Sequence, residues 1–252
     1  MTDRFSQHRP QDGADTGGVP WAGRTLTGTG FDGDTGEADA VLAGLLGAED
    51  RDPADVVDAV ARARLVVPIV AVAAEVDDSS GTPVDARSDM ASVTLVAPDG
   101  QRALPAFTST HALAAWDPAA RPVPVTAQRA ARAALQEGCE VVTLDLPPSP
   151  GPAAWTLSGS MVRALAAGRG WAPAHRDEHV VAAVAEVVAR EEAVGGHNLG
   201  GEAGELVVAL SLRPGLTRAE LEGVVGRISR GIALDTGARE RIDAVAFRLG
   251  TA

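Results

Sequence analysis

The chain has 252 residues, 45% of them hydrophobic, and a formal net charge of −12. This length and apolar content suit one large or two small domains with a real core, and the acidic balance argues against a phosphate-backbone partner, so no nucleic-acid binding is expected. Aromatics make up only 3%, Tyr is absent and all 22 basic residues are Arg, so the core must be built from Ala, Val and Leu, and Lys is removed as a nucleophile or phosphate ligand.

The charge is uneven. Residues 1–60 carry 12 acids and 4 Arg, whereas residues 61–252 carry 22 acids and 18 Arg, so the acidic excess lies toward the N-terminus. The one cysteine, Cys139, permits no internal disulfide and no Cys-based metal site; it reads as a small packing residue. The N-terminus lacks the apolar core of a signal peptide, and no run approaches the ~18 apolar residues of a membrane span. A cytoplasmic protein without a membrane association is expected.

Residues 1–36 are rich in Gly, Asp and Thr without sustained periodicity and are read as a flexible acidic tail. Within it the apolar islands Val19-Pro20-Trp21 and Phe31 can fold back on the body or meet a partner. Helical patterns follow over Glu37–Gly47 and, after Pro53 at a first-turn position, over Ala54–Ala63. Leu65–Ala74 has buried-strand character despite Pro68. Ser92–Ala97 and Arg102–Phe107 flank Pro98-Asp99-Gly100, which supplies turn chemistry for an early antiparallel hairpin. A short helix ends at Trp116-Asp117-Pro118, and an extended Arg121–Val125 follows.

Thr126 is placed to cap a helix over Ala127–Glu137, with Ala127, Ala130, Ala131, Ala134 and Leu135 on one face and Gly138 at C′. Glu140–Leu146 and Ala153–Leu157 read as strands around a rigid Pro147–Pro152 turn, and Ser160 is expected to cap a helix reaching about Ala167. Trp171-Ala172-Pro173 marks a boundary. Beyond it lie a Val180, Val181, Val184, Val187, Val188 helical stripe, a strand over Leu206–Leu212, a capping box at Thr217-Arg218-Ala219-Glu220 opening a helix, and a last strand over Ala244–Leu249. The expected architecture is α+β: a mixed sheet with the early hairpin and flanking helices, then a smaller αβαβ C-terminal unit. The expected division is a tail over 1–36, a larger domain over 37–173 and a smaller one over 174–252.

Several motifs match only on paper. Gly28-Thr29-Gly30-Phe31-Asp32-Gly33 is a literal G-x-G-x-x-G, but no core strand precedes it and Asp32 would face a pyrophosphate. A calcium-loop start at Asp32 lacks the bidentate Glu, since its twelfth position is Ala43. Gly195–Gly201 is Gly-rich without the Lys-Ser/Thr of a P-loop and reads as a flexible connector. His175-Arg176-Asp177-Glu178-His179 matches H-x-x-E-H. Two His one helical turn apart can share a zinc ion, but Pro173 and Asp177 suggest that the helix begins between them. No metal and no cofactor are expected.

The ordered set Ala63–Pro68, Ser88-Asp89-Met90-Ala91, Asp99-Gly100, Leu104–Ser109, Trp116 and Arg121–Val125 resembles the SseB (enhanced serine sensitivity protein B) family, specifically its N-terminal domain. Val142–Asp145 and Trp171-Ala172-Pro173 extend the likeness over roughly 37–173, the Val19–Arg24 stretch and the Arg-for-Lys bias look actinobacterial, and the C-terminal unit looks like the smaller domain that follows. The resemblance implies an α/β-type domain and supplies no catalytic residues. Phe107 and Trp116 read as core aromatics, whereas Ser88, Asp89, Thr108, Ser109 and Arg121 read in two ways. One is local work: Ser109 capping its helix, Asp89 holding a turn, Arg121 pairing with an acid. The other is a polar rim, together with Phe107 and Trp116, around a groove for an unidentified protein partner or a small polar metabolite. The expected function is accordingly a non-enzymatic binding or regulatory module. The alternatives are an enzyme using a polar cluster at Asp89, Thr108, Ser109 and Arg121, or a zinc hydrolase at His175 and His179.

Overall fold

The structure is a computed structural model that describes residues 30–73, 88–148 and 153–251. Most of the expected tail, including Val19-Pro20-Trp21 and Gly28-Thr29, lies outside the described residues, as do 149–152 of the proline turn. Residues 30–35 contain one turn, in which the Asp34 N–H donates to the Phe31 carbonyl at 3.0 Å; no helix opens at Gly33, so a dinucleotide fingerprint has no structural context here.

Helix α1 (Ala40–Gly47) starts where the Asp39 carboxylate accepts from the Val41 and Leu42 N–H groups, both at 3.0 Å. Helix α2 (Pro53–Arg62) is capped by Asp52 and has Pro53 in its first turn, where the missing N–H is harmless. Val56, Val57 and Val60 then fall on one buried face with Leu42.

Strand β1 (Arg64–Ala73) is the centre of an antiparallel sheet, between β2 (Ser88–Ser92) and β5 (Arg121–Thr126). A proline in a central strand is unusual; Pro68 is tolerated opposite Pro122, which gathers the missing donors at one rung. A second sheet runs β3 (Leu95–Val96), β4 (Arg102–Ala106), β6 (Val141–Leu144), β7 (Trp155–Leu157), with β4 and β6 parallel and the outer pairs antiparallel. Val66 and Phe107 exchange two backbone hydrogen bonds of 2.8 Å and so join the sheets. Between β4 and β5 lies α3 (Thr110–Trp116), and between β5 and β6 lies α4 (Ala127–Gln136), whose Ala127, Ala130, Ala131 and Ala134 are buried. Thr126 caps α4, and Gly138 adopts φ +68° at its C′ position. Helix α5 (Gly159–Ala167) packs beside α4.

The third sheet has the order β10 (Ala244–Thr251), β9 (Glu205–Leu212), β8 (Val194–Gly200), with β10 parallel and β8 antiparallel to β9. Leu206, Val208, Leu210 and Leu212 alternate into a core shared with α6 (Glu178–Val188), α7 (Arg218–Leu234) and α8 (Thr236–Arg241). The described residues from 36 to 251 form one compact unit with two main cores. One runs from Leu42 to Trp171, the other from Ala174 to Ile242. The fold is α+β.

Four local expectations are corrected. Gly195–Gly201 is no connector: Gly196–Gly200 pairs with β9, so the C-terminal unit reads αββααβ and not αβαβ. Glycine, His197 and Asn198 give no strand pattern of their own, and the pairing with β9 imposes one. Ser92 belongs to β2 and not to the hairpin, whose first strand is only Leu95–Val96. Ser160 lies inside α5, with Ser158 at its N-cap. Leu135 and Val181 are 42% and 40% exposed, because the stripes they extend are narrower than the sequence implies.

The helix caps set an acid sensitivity. Hydrogen bonds from the Thr217 backbone and side chain hold the Glu220 carboxyl below its ordinary 4.5. His179 and the Ala238 N–H hold Asp235 below 3.8. A carboxyl with a lowered folded value stabilises the fold above the unfolded value and loses that contribution as pH falls through the folded one. The urea midpoint is therefore expected to fall as pH is taken from neutrality to below 3.8. A midpoint constant over that range would contradict the cap geometry.

Candidate functional site

The family-like residues form a corner at the end of β4. The register of parallel strands β4 and β6 pairs Ala106 with Leu144, which sets Asp145 beside Thr108. Asp145 takes up the left-handed φ of +50°, and its carboxylate accepts the Thr108 N–H at 2.8 Å and the Thr108 hydroxyl at 2.7 Å. Arg64 donates to the Thr108 carbonyl at 2.9 Å and to the Glu37 carbonyl at 2.7 Å. The Ser109 hydroxyl accepts the Ala112 N–H at 3.0 Å and caps α3. Thr108 and Ser109 are buried, and Phe107 is fully buried with its ring centroid 5.3 Å from that of half-buried Trp116. These polar groups are matched to one another, so the corner fastens β4, α3 and the β6 end together. Asp145 stands in the sequence directly after a strand and before a proline turn, which was the signal available for its role.

The polar cluster expected from sequence does not assemble. Phe107 stands opposite Val66 and Asp89 opposite Val72; six residues of strand separate these rungs by about 20 Å. Arg121 stands opposite Ile69 and is exposed, and among the described residues no acid pairs with it. The side chains of Ser88 and Asp89 lie outside the described set.

His175 and His179 are likewise divided. His175 is in a 3-10 turn (Ala174–Arg176), and Asp177 ends that turn and caps α6 through the His179 and Val180 N–H groups. His179 Nε2 lies 2.7 Å from Asp235 Oδ1. Among the described residues no group of three His, Cys, Asp or Glu is placed to hold a metal ion.

A second polar set joins distant segments and reaches from the exposed Asp243 to the buried Ser160 and Trp171. Asp243 accepts the Ser160 N–H at 2.6 Å, the Ser160 hydroxyl at 2.7 Å and an Arg163 N–H at 3.0 Å. The Trp171 indole N–H donates to the Ser160 oxygen at 3.1 Å. Asp243 thus supplies the anion that the start of α5 favours. A Cβ at Gly204 would lie 1.8 Å from Asp243 Oδ2, so glycine is required for the approach.

A different surface brings apolar and charged side chains together. A cleft of about 570 Å³ opens between the α2 start, β7, the 3-10 turn and the β8–β9 loop. Pro53, Pro173 and the Trp155 ring give it flat apolar walls, and Asp52, His175, Arg176 and Glu202 give it polar edges. Arg176 donates to both Asp52 oxygens, at 2.8 and 3.0 Å, and with the Ala54 N–H holds the Asp52 carboxyl below its ordinary value. Arg51 lies over the Trp155 ring at 4.8 Å, held by the Leu46 and Ala48 carbonyls. Trp155 Nε1 and His175 Nδ1 are withdrawn from solvent without a hydrogen-bond partner. Thr143 Oγ1, away from the cleft, is likewise withdrawn and without a partner, so the cleft is set apart by its mixed lining and not by these two nitrogens. Sequence reading passed over Trp155 because nothing local distinguishes it from a core aromatic, and the cleft's parts come from four separate segments.

Fold and site together define an α+β protein whose motif corner is an internal fastening and which carries a separate cleft with apolar walls and polar edges. The sequence matches the SseB protein N-terminal domain over residues 39–164, half of its length, and the chain belongs to the SseB family. No curated protein and no solved structure matched it. Among the described residues no helix is long and apolar enough to cross a membrane.

Proposed function

We propose that the protein is a non-enzymatic binding or regulatory module that takes a small polar metabolite in the Trp155–His175 cleft. The observation that carries the reading is the contrast between two polar regions: the motif corner at Thr108 and Ser109 is matched internally, whereas the cleft combines apolar walls at Pro53, Pro173 and Trp155 with polar edges at Asp52, His175, Arg176 and Glu202. A volume of about 570 Å³ lies within the usual range for small-molecule sites. We place the protein in the cytoplasm and in the actinobacterial branch of the family, on the absence of Lys and the Val19–Arg24 stretch, and assign the unit after Trp171 as the smaller SseB-like domain.

The test is a thermal-shift screen of the full chain and of Trp155→Phe against amino acids, nucleosides, nucleotides, acyl metabolites and inorganic phosphate. Ligand at 100 times its Kd stabilises by about 2.7 kcal/mol, several degrees for a chain of this size. The expected result is a shift with one chemical class that shrinks in Trp155→Phe, which cuts the bicyclic indole wall down to a single ring. A shift of equal size in both proteins would move the site elsewhere, and a flat screen would favour a protein partner.

A further inference from the structure

We infer that the protein forms a twofold homodimer through strand β10, whose free edge pairs antiparallel with β10 of a second copy; the inference is independent of the cleft. An open sheet edge presents a row of unpaired backbone N–H and C=O groups, and proteins blunt such edges with short strands, prolines, bulges or charge. The edges of the three sheets differ in this respect. Strands β3 and β7 have two and three residues, β5 carries Pro122 and Pro124, and β2 is five residues long and includes Asp89. Strand β8 is rich in glycine and its register shifts between Val194 and Gly196. Strand β10 runs for eight residues in unbroken register with β9, without proline or bulge, and its one charged residue is Arg248. Among the described residues no strand pairs with its other side, and all of its residues except Ala246 and Phe247 are exposed.

The side chains of β10 say what covers it. Register with β9 puts Val245, Phe247 and Leu249 on the face that Leu206, Val208 and Leu210 turn toward the helices. Phe247 packs against that core, but Val245 and Leu249 are 39% and 47% exposed, so the apolar stripe outruns its cover. A twofold axis at Phe247 makes this stripe its own complement. Val245 then stands opposite Leu249 of the second copy and Phe247 opposite its equivalent, and cross-strand apolar pairs of this kind stabilise sheets. On the other face the long Arg248 falls opposite the small Ala246. Charge agrees with this register. Arg248 and Glu205 share the helix-free face, both are exposed, and neither has an ion-pair partner among the described residues. With strands about 4.8 Å apart and residues rising about 3.3 Å, Arg248 lies about 12 Å, Cα to Cα, from Glu205 of the second copy and about 14 Å from its own. Two symmetric Arg–Glu pairs can therefore close across the junction. An axis at Arg248 would instead set the two guanidinium groups opposite each other, which is unfavourable. An unrelated extended peptide would meet the backbone groups of the edge but not this reciprocal pairing of stripe and charge.

The test is sedimentation equilibrium of the full chain over a wide range of concentration, with Leu249→Lys, Arg248→Glu and the double variant Glu205→Arg/Arg248→Glu beside it. Wild type is expected to give a species of twice the 25.7 kDa chain mass. Leu249→Lys, which puts a charge on the apolar stripe, is expected to weaken the dimer by a factor of about ten or more. Arg248→Glu, a change at an exposed position, is expected to weaken it about tenfold, because two attractive pairs become repulsive. The double variant exchanges the two charges and is expected to recover the wild-type association. Far-UV circular dichroism of each variant shows whether its fold is kept, and the charge exchange distinguishes a specific junction from general loss of structure. A wild type that stays at the single-chain mass at every concentration would overturn the proposal. A dimer that neither Leu249→Lys nor Arg248→Glu weakens would place the contact elsewhere and overturn it too. Weakening by Arg248→Glu that the double variant fails to repair would overturn the register centred on Phe247.

Discussion

Replacing Phe107 with alanine is expected to cost about 4 kcal/mol of stability, the range measured when a large buried aromatic leaves a cavity. Phe107 is fully buried, packs with Val66 and Leu113, and stacks at a tilt of 36° on Trp116. Its backbone also makes both hydrogen bonds of the bridge to Val66, so the side chain fills the point where two sheets join. For a chain of this length, that loss corresponds to a melting point lower by about 12 °C. Trp116→Phe should cost far less, since that ring is only half-buried and Phe retains the stacking. Urea and thermal unfolding of both variants check the pair. A Phe107→Ala protein of near-normal stability would mean that Phe107 is available to a ligand and that the corner is not a fastening.

The second large effect is expected at Asp243. Its carboxylate serves the Ser160 N–H, the Ser160 hydroxyl and Arg163, and Ser160 in turn accepts from Trp171. Asp243→Ala takes the acceptor from the Ser160 N–H and leaves the hydroxyl of fully buried Ser160 only the Ser158 hydroxyl, 3.3 Å away, and should destabilise by about 2 kcal/mol, since buried polar groups stripped of partners cost about 1–3 kcal/mol each and the exposed Asp243 position admits water. Asp243→Asn retains an acceptor and should cost about half as much. Gly204→Ala should approach the alanine variant, because its Cβ would displace the same carboxylate. Equal stability of Asp243→Ala and wild type in urea unfolding would show that this network contributes nothing to joining α5 to the β10 start.

Element type was legible wherever local chemistry and tertiary contact agreed. The caps at Thr126 and Thr217, Pro53 in its first turn and the Pro98-Asp99-Gly100 turn all act where the sequence places them. Strand β8 was not legible, because His197, Asn198 and four glycines of residues 195–201 have no strand preference and are ordered by β9. The break between α7 and α8 was also hidden: Asp235 both ends one helix and caps the next, which a continuous apolar stripe does not reveal. Among the candidate site residues, the capping reading of Ser109 holds in the geometry. The joint cluster of Asp89, Thr108, Ser109 and Arg121 fails on strand register, which a sequence does not display. The cleft at Trp155 and His175 was invisible for a related reason, since its lining comes from four segments that only the folded chain brings together.

The most direct test of the cleft reading is the indole region of a ¹H–¹⁵N spectrum, in which the chain's four Trp residues give separate N–H signals and Trp155→Phe identifies one of them. On adding a ligand found by thermal shift, the Trp155 signal is expected to move as the ligand packs against its ring, while those of Trp116 and Trp171 stay in place. Movement of the Trp116 signal and of the Thr108 and Ser109 amides, with Trp155 unchanged, would return the site to the motif corner and contradict the account.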